Sequence, residues 1–448
     1  CVPLAEKRPC QARAWIPRTR TTTLRPMAEG TQRRLAAIVS ADVVEVFSNS
    51  SAHEGAILIE QAEEVKAMAG IRPDVDPDGL LEYSVVFTDR ALNHMSQSFQ
   101  GVMRDISVTL KGVYGAAAIA IVPGGGTYGM EAVARQFATD QKCMVLRNGW
   151  FSFRWSQIFD AGNIPSSVTV LKAGVIEDDP RPYYAPAPID EVVAAIQQEK
   201  PAMLFAPHVE TASGIILPGD YLAAVADAMH EVGGLFVLDC IASGTIWVDM
   251  EAAGVDVLIS APQKGWSASP CAAFVMMSAR ARAAIDGTTS SSFACDLKKW
   301  LDIMAAYEGG GHAYHATMPT DALVQFHATM KEIEAHGFEE IRAEQQELGD
   351  KVRAMLSEKG FKSLAAPGFQ APGVVVSYTD EADIHNGSKF AAEGLQIAAG
   401  VPLQCDEAED FRTFRLGLFG LDKLQNIDRT VANLETALTR ILADTNVR

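Results

Sequence analysis

The chain contains no Cys-x-x-Cys pair, and its seven cysteines (Cys1, Cys10, Cys143, Cys240, Cys271, Cys295 and Cys405) are scattered along it. That excludes the common zinc spacings and a small disulfide framework, so no metal is expected and the compartment expected is reducing and cytoplasmic. No apolar run comes near the roughly 18 residues that a membrane span needs, so no membrane partner is expected. Basic charge is scarce: 38 Lys and Arg face 56 Asp and Glu, a net charge of −18. With no basic stripe interleaved with aromatics in the body of the chain, nucleic acid is not an expected partner either. Internal repeats and low-complexity segments are also missing. What remains is ordinary globular composition, 48% hydrophobic and 21% charged, pointing to chemistry on small molecules.

Residues 1–34 carry eight basic side chains against Glu6 and Glu29. That contrast with the acidic remainder marks residues 1–74 as an N-terminal extension, expected to be partly disordered, with Met27 a start point for the functional chain. From about residue 75, apolar strand-like runs alternate with amphipathic helical stretches, which predicts an α/β fold with a mostly parallel sheet. Strands are expected at 117–122, 143–146, 167–171, 202–206, 235–238, 255–259 and 272–277. A long helical period over 320–358, carried by Leu323, Phe326, Met330, Ile333, Ile341, Leu348 and Met355, reads as a connection into a second domain. At 448 residues the chain exceeds one ordinary core, so two domains are expected, a large one over 75–330 and a small C-terminal one over 331–448. The small domain has strand candidates at 373–378 and 411–416 and a closing helix over 422–442.

Two polar residues stand at the ends of apolar strands. Val237-Leu238-Asp239 ends in a carboxylate, and Val257-Leu258-Ile259-Ser260-Ala261-Pro262-Gln263-Lys264-Gly265 brings an amine one strand-helix-strand unit later. Taken singly, Asp239 reads as a helix cap and Lys264 as a solvated loop charge. Taken together they meet the needs of a pyridoxal phosphate site, where a lysine forms a Schiff base and a carboxylate keeps the pyridine nitrogen protonated. Open α/β sheets also bind ligands at those strand ends. Pro123-Gly124-Gly125-Gly126-Thr127 follows a strand and opens a helix, a place where free backbone N–H groups suit a phosphate.

Asp239-x-Ile241-x-Ser243 with Ser260-x-x-Gln263-Lys264 resembles the class V aminotransferases, in particular the alanine/serine:glyoxylate aminotransferase branch. The resemblance implies the type I pyridoxal-phosphate fold and a homodimer with shared active sites. It implies pyridoxal 5'-phosphate as cofactor, bound by Gly125, Gly126, Thr127, Phe151, Thr211, Asp239, Ile241, Gln263 and Lys264, with Tyr314 and Thr317 reaching the neighbouring subunit's phosphate. Phe151 would lie over the pyridine ring and Ile241 against its other face. Lys264 and Asp239 would be catalytic, and Arg415, in Arg415-Leu416-Gly417, would clamp the substrate carboxylate. The implied reaction moves an amino group from a small amino acid to a 2-oxo acid such as glyoxylate or pyruvate. A lyase or an aminoalkylphosphonate:pyruvate transaminase would share the same cofactor residues. Gln263 stands where cysteine desulfurases of the class place His, which disfavours that branch. Gly125 replaces the usual Ser or Thr of the phosphate cup, and Leu418 stands where the family has His.

Overall fold

The structure is a computed structural model that describes residues 75–76 and 79–445, so the expected extension over 1–74 lies outside the described residues. The described residues belong to one compact unit. Its centre is a seven-stranded sheet. The strands are β1 (Ala118–Pro123), β2 (Lys142–Arg147), β3 (Ser167–Lys172), β4 (Met203–Pro207), β5 (Leu235–Asp239), β6 (Val257–Ser260) and β7 (Ala272–Met277). Every one falls within two residues of its expected place, because each is a short apolar run bounded by turn residues. β4, β5, β6 and β7 are buried along their whole length, as a sheet covered on both faces requires.

The spatial order is β1-β7-β6-β5-β4-β2-β3. β3, β2, β4, β5 and β6 run parallel, and β7 lies antiparallel to both of its neighbours, β6 and β1. β1 therefore points the same way as the parallel strands, and the carboxyl ends of β1, β2, β4, β5 and β6 open on one edge.

Helices between the strands cover the sheet. α1 (Gln97–Tyr114) is capped by Ser96, whose side chain accepts from the Ser98 N–H, and ends at Gly115 in the left-handed region (φ 63°). α2 (Gly126–Phe137) and α3 (Trp150–Gly162) follow β1 and β2. α2 lies close on the sheet because Gly129 has no side chain to hold it off Ala273 and Ile259. α4 (Ile189–Glu199), α5 (Gly219–Glu231) and α6 (Leu297–Glu308) complete the cover, with α6 packed over β1.

The helical period over 320–358 is two helices rather than one, α7 (Thr320–His336) and α8 (Phe338–Glu358). Gly337 breaks it with φ 111°, a conformation that L side chains rarely adopt. The apolar spacing runs on through the break, so periodicity alone could not show it. The proposed domain boundary at 330 falls inside α7. Beyond α8 a three-stranded antiparallel sheet forms from β8 (Val374–Tyr378), β9 (Ala398–Ala399) and β10 (Thr413–Gly417), in the order β8-β10-β9. β9 was not anticipated: two residues carry no alternation to read. The closing helix is also interrupted, with a short turn over Leu421–Leu424 before α9 (Ile427–Thr445). No helix among the described residues is long and apolar enough to cross a membrane.

Candidate active site

Five strand ends deliver the polar residues to one edge. β1 leads into Gly124-Gly125-Gly126, β2 into Asn148-Gly149, β4 into His208, β5 ends on Asp239, and β6 leads to Gln263-Lys264. Side-chain contacts then tie them together in one cluster.

The phosphate end is the start of α2. Gly125 is its N-cap and supplies no side chain to the free N–H groups of the first turn. Gly126 is fully buried, and a Cβ there would run into Ile241 Cδ1, so the residue after β5 walls the same cradle. Thr127 is exposed, and its Oγ1 accepts from Arg154 Nη1 at 3.0 Å. The Gln263 side-chain oxygen is buried without a hydrogen-bond partner.

The middle of the cluster is acidic. Asp239 is 8% exposed, and its Oδ1 accepts from the Ile241 N–H at 2.9 Å. Burial pushes its carboxyl up to about 7; the nearby Glu210 carboxylate adds to this and Arg154 opposes it. The backbone N–H of His208 donates to the Asp239 carbonyl at 2.8 Å, and its Nδ1 lies 2.7 Å from Ser243 Oγ. Burial holds the His208 imidazole down at about 4, so it is neutral.

The opposite wall is cationic and aromatic. Phe151, in the first turn of α3, has the Arg154 guanidinium 5.2 Å and the Arg415 guanidinium 5.6 Å from its ring centroid. Arg415 Nε donates to the Ala399 carbonyl at 2.7 Å, and among the described residues its two Nη groups have no hydrogen-bond partner. Lys264 is half-buried, with Nζ 5.2 Å from the Phe419 ring centroid. Burial, reinforced by the Arg415 charge, lowers its ammonium below the ordinary lysine value. A half-buried primary amine, a buried carboxylate, an aromatic face and a guanidinium whose Nη groups have no hydrogen-bond partner among the described residues thus share one edge. That set can hold an aromatic aldehyde phosphate and bind a carboxylate. Thr211 lies half-buried in the turn after Glu210, with no hydrogen bond from its hydroxyl to the described protein.

Tyr314 and Thr317 are not brought into this cluster within the one chain. The Tyr314 hydroxyl and Thr317 Oγ1 lie 3.2 Å apart, the Tyr314 ring is 54% exposed, and it stands 5.5 Å from the His94 ring. Sequence reasoning missed Glu210, Arg154 and Phe419 as members. Each lies within or beside a motif that was read, but nothing local marks which neighbour of a motif points inward. A cavity of about 480 Å³ lined by Arg353, Lys362 and Ser377 shares no residue with the cluster.

The family model for class V aminotransferases matches residues 81–406. The chain belongs to the class V aminotransferases. Among curated members and relatives, it is 26% identical over 323 residues to an L-aspartate–glyoxylate aminotransferase of Paracoccus denitrificans, covering 71% of this chain and 77% of that one. It is 24% identical over 359 residues to a soluble hydrogenase small subunit of Synechococcus sp., covering 79% and 87%. Among solved structures, an alanine–glyoxylate aminotransferase from Nostoc sp. superposes with a TM-score of 0.66 at 21% identity, covering 78% of this chain and 88% of that one. The fold of this class V aminotransferase is therefore the type I fold of pyridoxal-phosphate-dependent transferases.

Proposed function

We propose that this class V aminotransferase moves an amino group from a small amino acid to a 2-oxo acid, glyoxylate or pyruvate, using pyridoxal phosphate bound at Lys264. The observation that carries the reading is the half-buried Lys264 amine on the same strand-end edge as buried Asp239, with Arg415 and Phe151 opposite. The residues fit the cofactor. At Gly126 the Ile241 side chain lies so close that a single methyl would strike it, α2 offers uncapped N–H groups, and Gln263 has a buried polar atom without a partner among the described residues.

Lys264 would be bound covalently to the cofactor aldehyde at rest, Gly125, Gly126, Thr127 and Gln263 would hold the phosphate, and Phe151 and Ile241 the two ring faces. Thr211 would reach the phenolic oxygen. When bound, the cofactor supplies an electron sink for the bond electrons at the substrate Cα. Asp239 keeps that sink effective by holding a proton on the ring nitrogen, an ion pair that also relieves the penalty of burying its own charge. Arg415 presents its free Nη pair to the substrate carboxylate, which fixes the Cα. Lys264, whose hold on its own proton is weakened by burial and by the Arg415 charge, takes the Cα proton.

The same reading takes the chain as a cytoplasmic homodimer with shared active sites, built of a large domain over 75–330 and a small one over 331–448. Purified protein should show a visible cofactor band that Lys264→Ala abolishes. An unchanged band in that variant would sink the reading, and conversion of the band by a panel of amino acids identifies the donor.

A further inference from the structure

Helix α3 begins without a cap of its own, because Gly149 stands at its N-cap position. A carboxylate from 59 residues downstream does the capping. Glu210 is fully buried in the short hairpin of Val209–Glu210 with Ile215–Ile216. Its Oε1 accepts from the Phe151 N–H at 3.2 Å and the Ala212 N–H at 2.9 Å, and its Oε2 from the Ser152 N–H at 2.8 Å. Ser152 Oγ accepts from the Asn148 and Gly149 N–H groups, and its hydroxyl has two acceptors in reach, Glu210 Oε2 at 2.7 Å and the Gly149 carbonyl at 3.0 Å. Gly149 makes the approach possible: a Cβ there would lie 2.7 Å from Glu210 Cγ and 2.9 Å from Ala212 Cβ.

Three backbone N–H groups converge on one side chain, and these contacts, with the positive end of α3, favour the ionised carboxylate against its burial, which raises the carboxyl above its ordinary value. The turn so fixed is the one that carries Phe151, whose ring centroid lies 5.2 Å from the Arg154 guanidinium and 5.6 Å from that of Arg415.

We propose that Glu210 is a positioning residue for the transamination: by capping α3 it sets the plane of the Phe151 ring, and with it the tilt of the cofactor ring stacked there. Lys264 and Arg415 are anchored on other strands, so the cap decides how that ring sits between them. The inference rests on the reading of Lys264 as the cofactor lysine.

Glu210→Gln separates the two. Gln keeps the size of the side chain but turns an amide NH₂ toward N–H donors, so at least one of the backbone contacts is lost. In the cofactor-loaded full chain, visible circular dichroism per bound cofactor should fall, since it reports ring orientation. The kcat should drop by about 100-fold, the scale of a 1 Å misplacement. The KM for the amino donor should move far less than kcat, because Arg415 is hydrogen-bonded to the Ala399 carbonyl and Glu210 acts on it only through its charge. Wild-type dichroism and kcat in this variant overturn the proposal. A missing visible band in the wild type would instead overturn the assignment of Lys264. If Glu210→Gln yields only unfolded protein, the same comparison is made on Ser152→Ala, which removes one donor and keeps the charge: a weakened dichroic band sustains the proposal and an unmoved one overturns it.

Discussion

Asp239 reports on its own burial. Its carboxyl stands at about 7 in the folded chain without cofactor, against 3.8 as the ordinary value. The folded state therefore binds this proton more tightly, so its contribution to stability is fully present below 3.8 and is lost as pH rises through about 7. Asp239→Asn removes the titration. Measured by thermal unfolding of cofactor-free protein, the melting temperature of the variant minus that of the wild type should grow from about pH 4 to about pH 7 and then level off. A difference that does not vary with pH would show the carboxyl to be unperturbed. Arg415 makes a different kind of prediction. Arg415→Ala removes the free Nη pair, and the KM for the donor should rise about 10- to 100-fold, as hydrogen bonds to charged groups of about 1.5–3 kcal/mol imply. An unchanged KM would place the carboxylate site elsewhere. Asp239, Lys264 and Arg415 were legible in the sequence because each sits at a fixed place in a short motif. Glu210 was not, since its partners lie 58 and 59 residues away.

Among elements, the turn from β1 into α2 is the most constrained. Gly126→Ala pushes a methyl onto Ile241 Cδ1 and to 2.9 Å from its Cγ1, so the Ile241 side chain must shift. Cofactor affinity in a direct titration should weaken by roughly tenfold, the effect of a clash of about 1–3 kcal/mol at a packed contact. Ile241→Val in the same chain removes the atom that is struck and should restore most of the loss; failure of that rescue would mean the cradle is formed by something else. The strands were readable to within two residues, whereas helix interruptions were not. At Gly337 the apolar positions continue in phase on both sides, so only the backbone dihedral reveals the break. The pair Ala398–Ala399 is a strand solely because Thr413–Gly417 lies alongside it.

For the whole molecule the open question is the second chain. Tyr314 and Thr317 hold each other on the surface, which is the arrangement expected of groups that serve a partner. Mixing Lys264→Ala protein with Tyr314→Phe/Thr317→Ala protein tests this. Heterodimers would contain one site with both lesions and one with neither, so activity should return toward a quarter of the wild-type level, half the dimers carrying one intact site of two. A monomer in sedimentation with full activity would rule it out.

The strand order also sets a timetable for synthesis. Among the described residues β1 hydrogen-bonds to β7 and to no other strand, pairing Ile119 with Met276 and Ile121 with Phe274. A chain still emerging from the ribosome has made β1 long before residue 277 exists. Through that interval Ala118-Ile119-Ala120-Ile121-Val122 is an apolar strand with no ladder to join, while β2, β4, β5 and β6 can pair as they appear. A nascent chain halted before β7 should therefore be held by chaperones at this segment, and released once the antiparallel strand slides into the gap between β6 and β1.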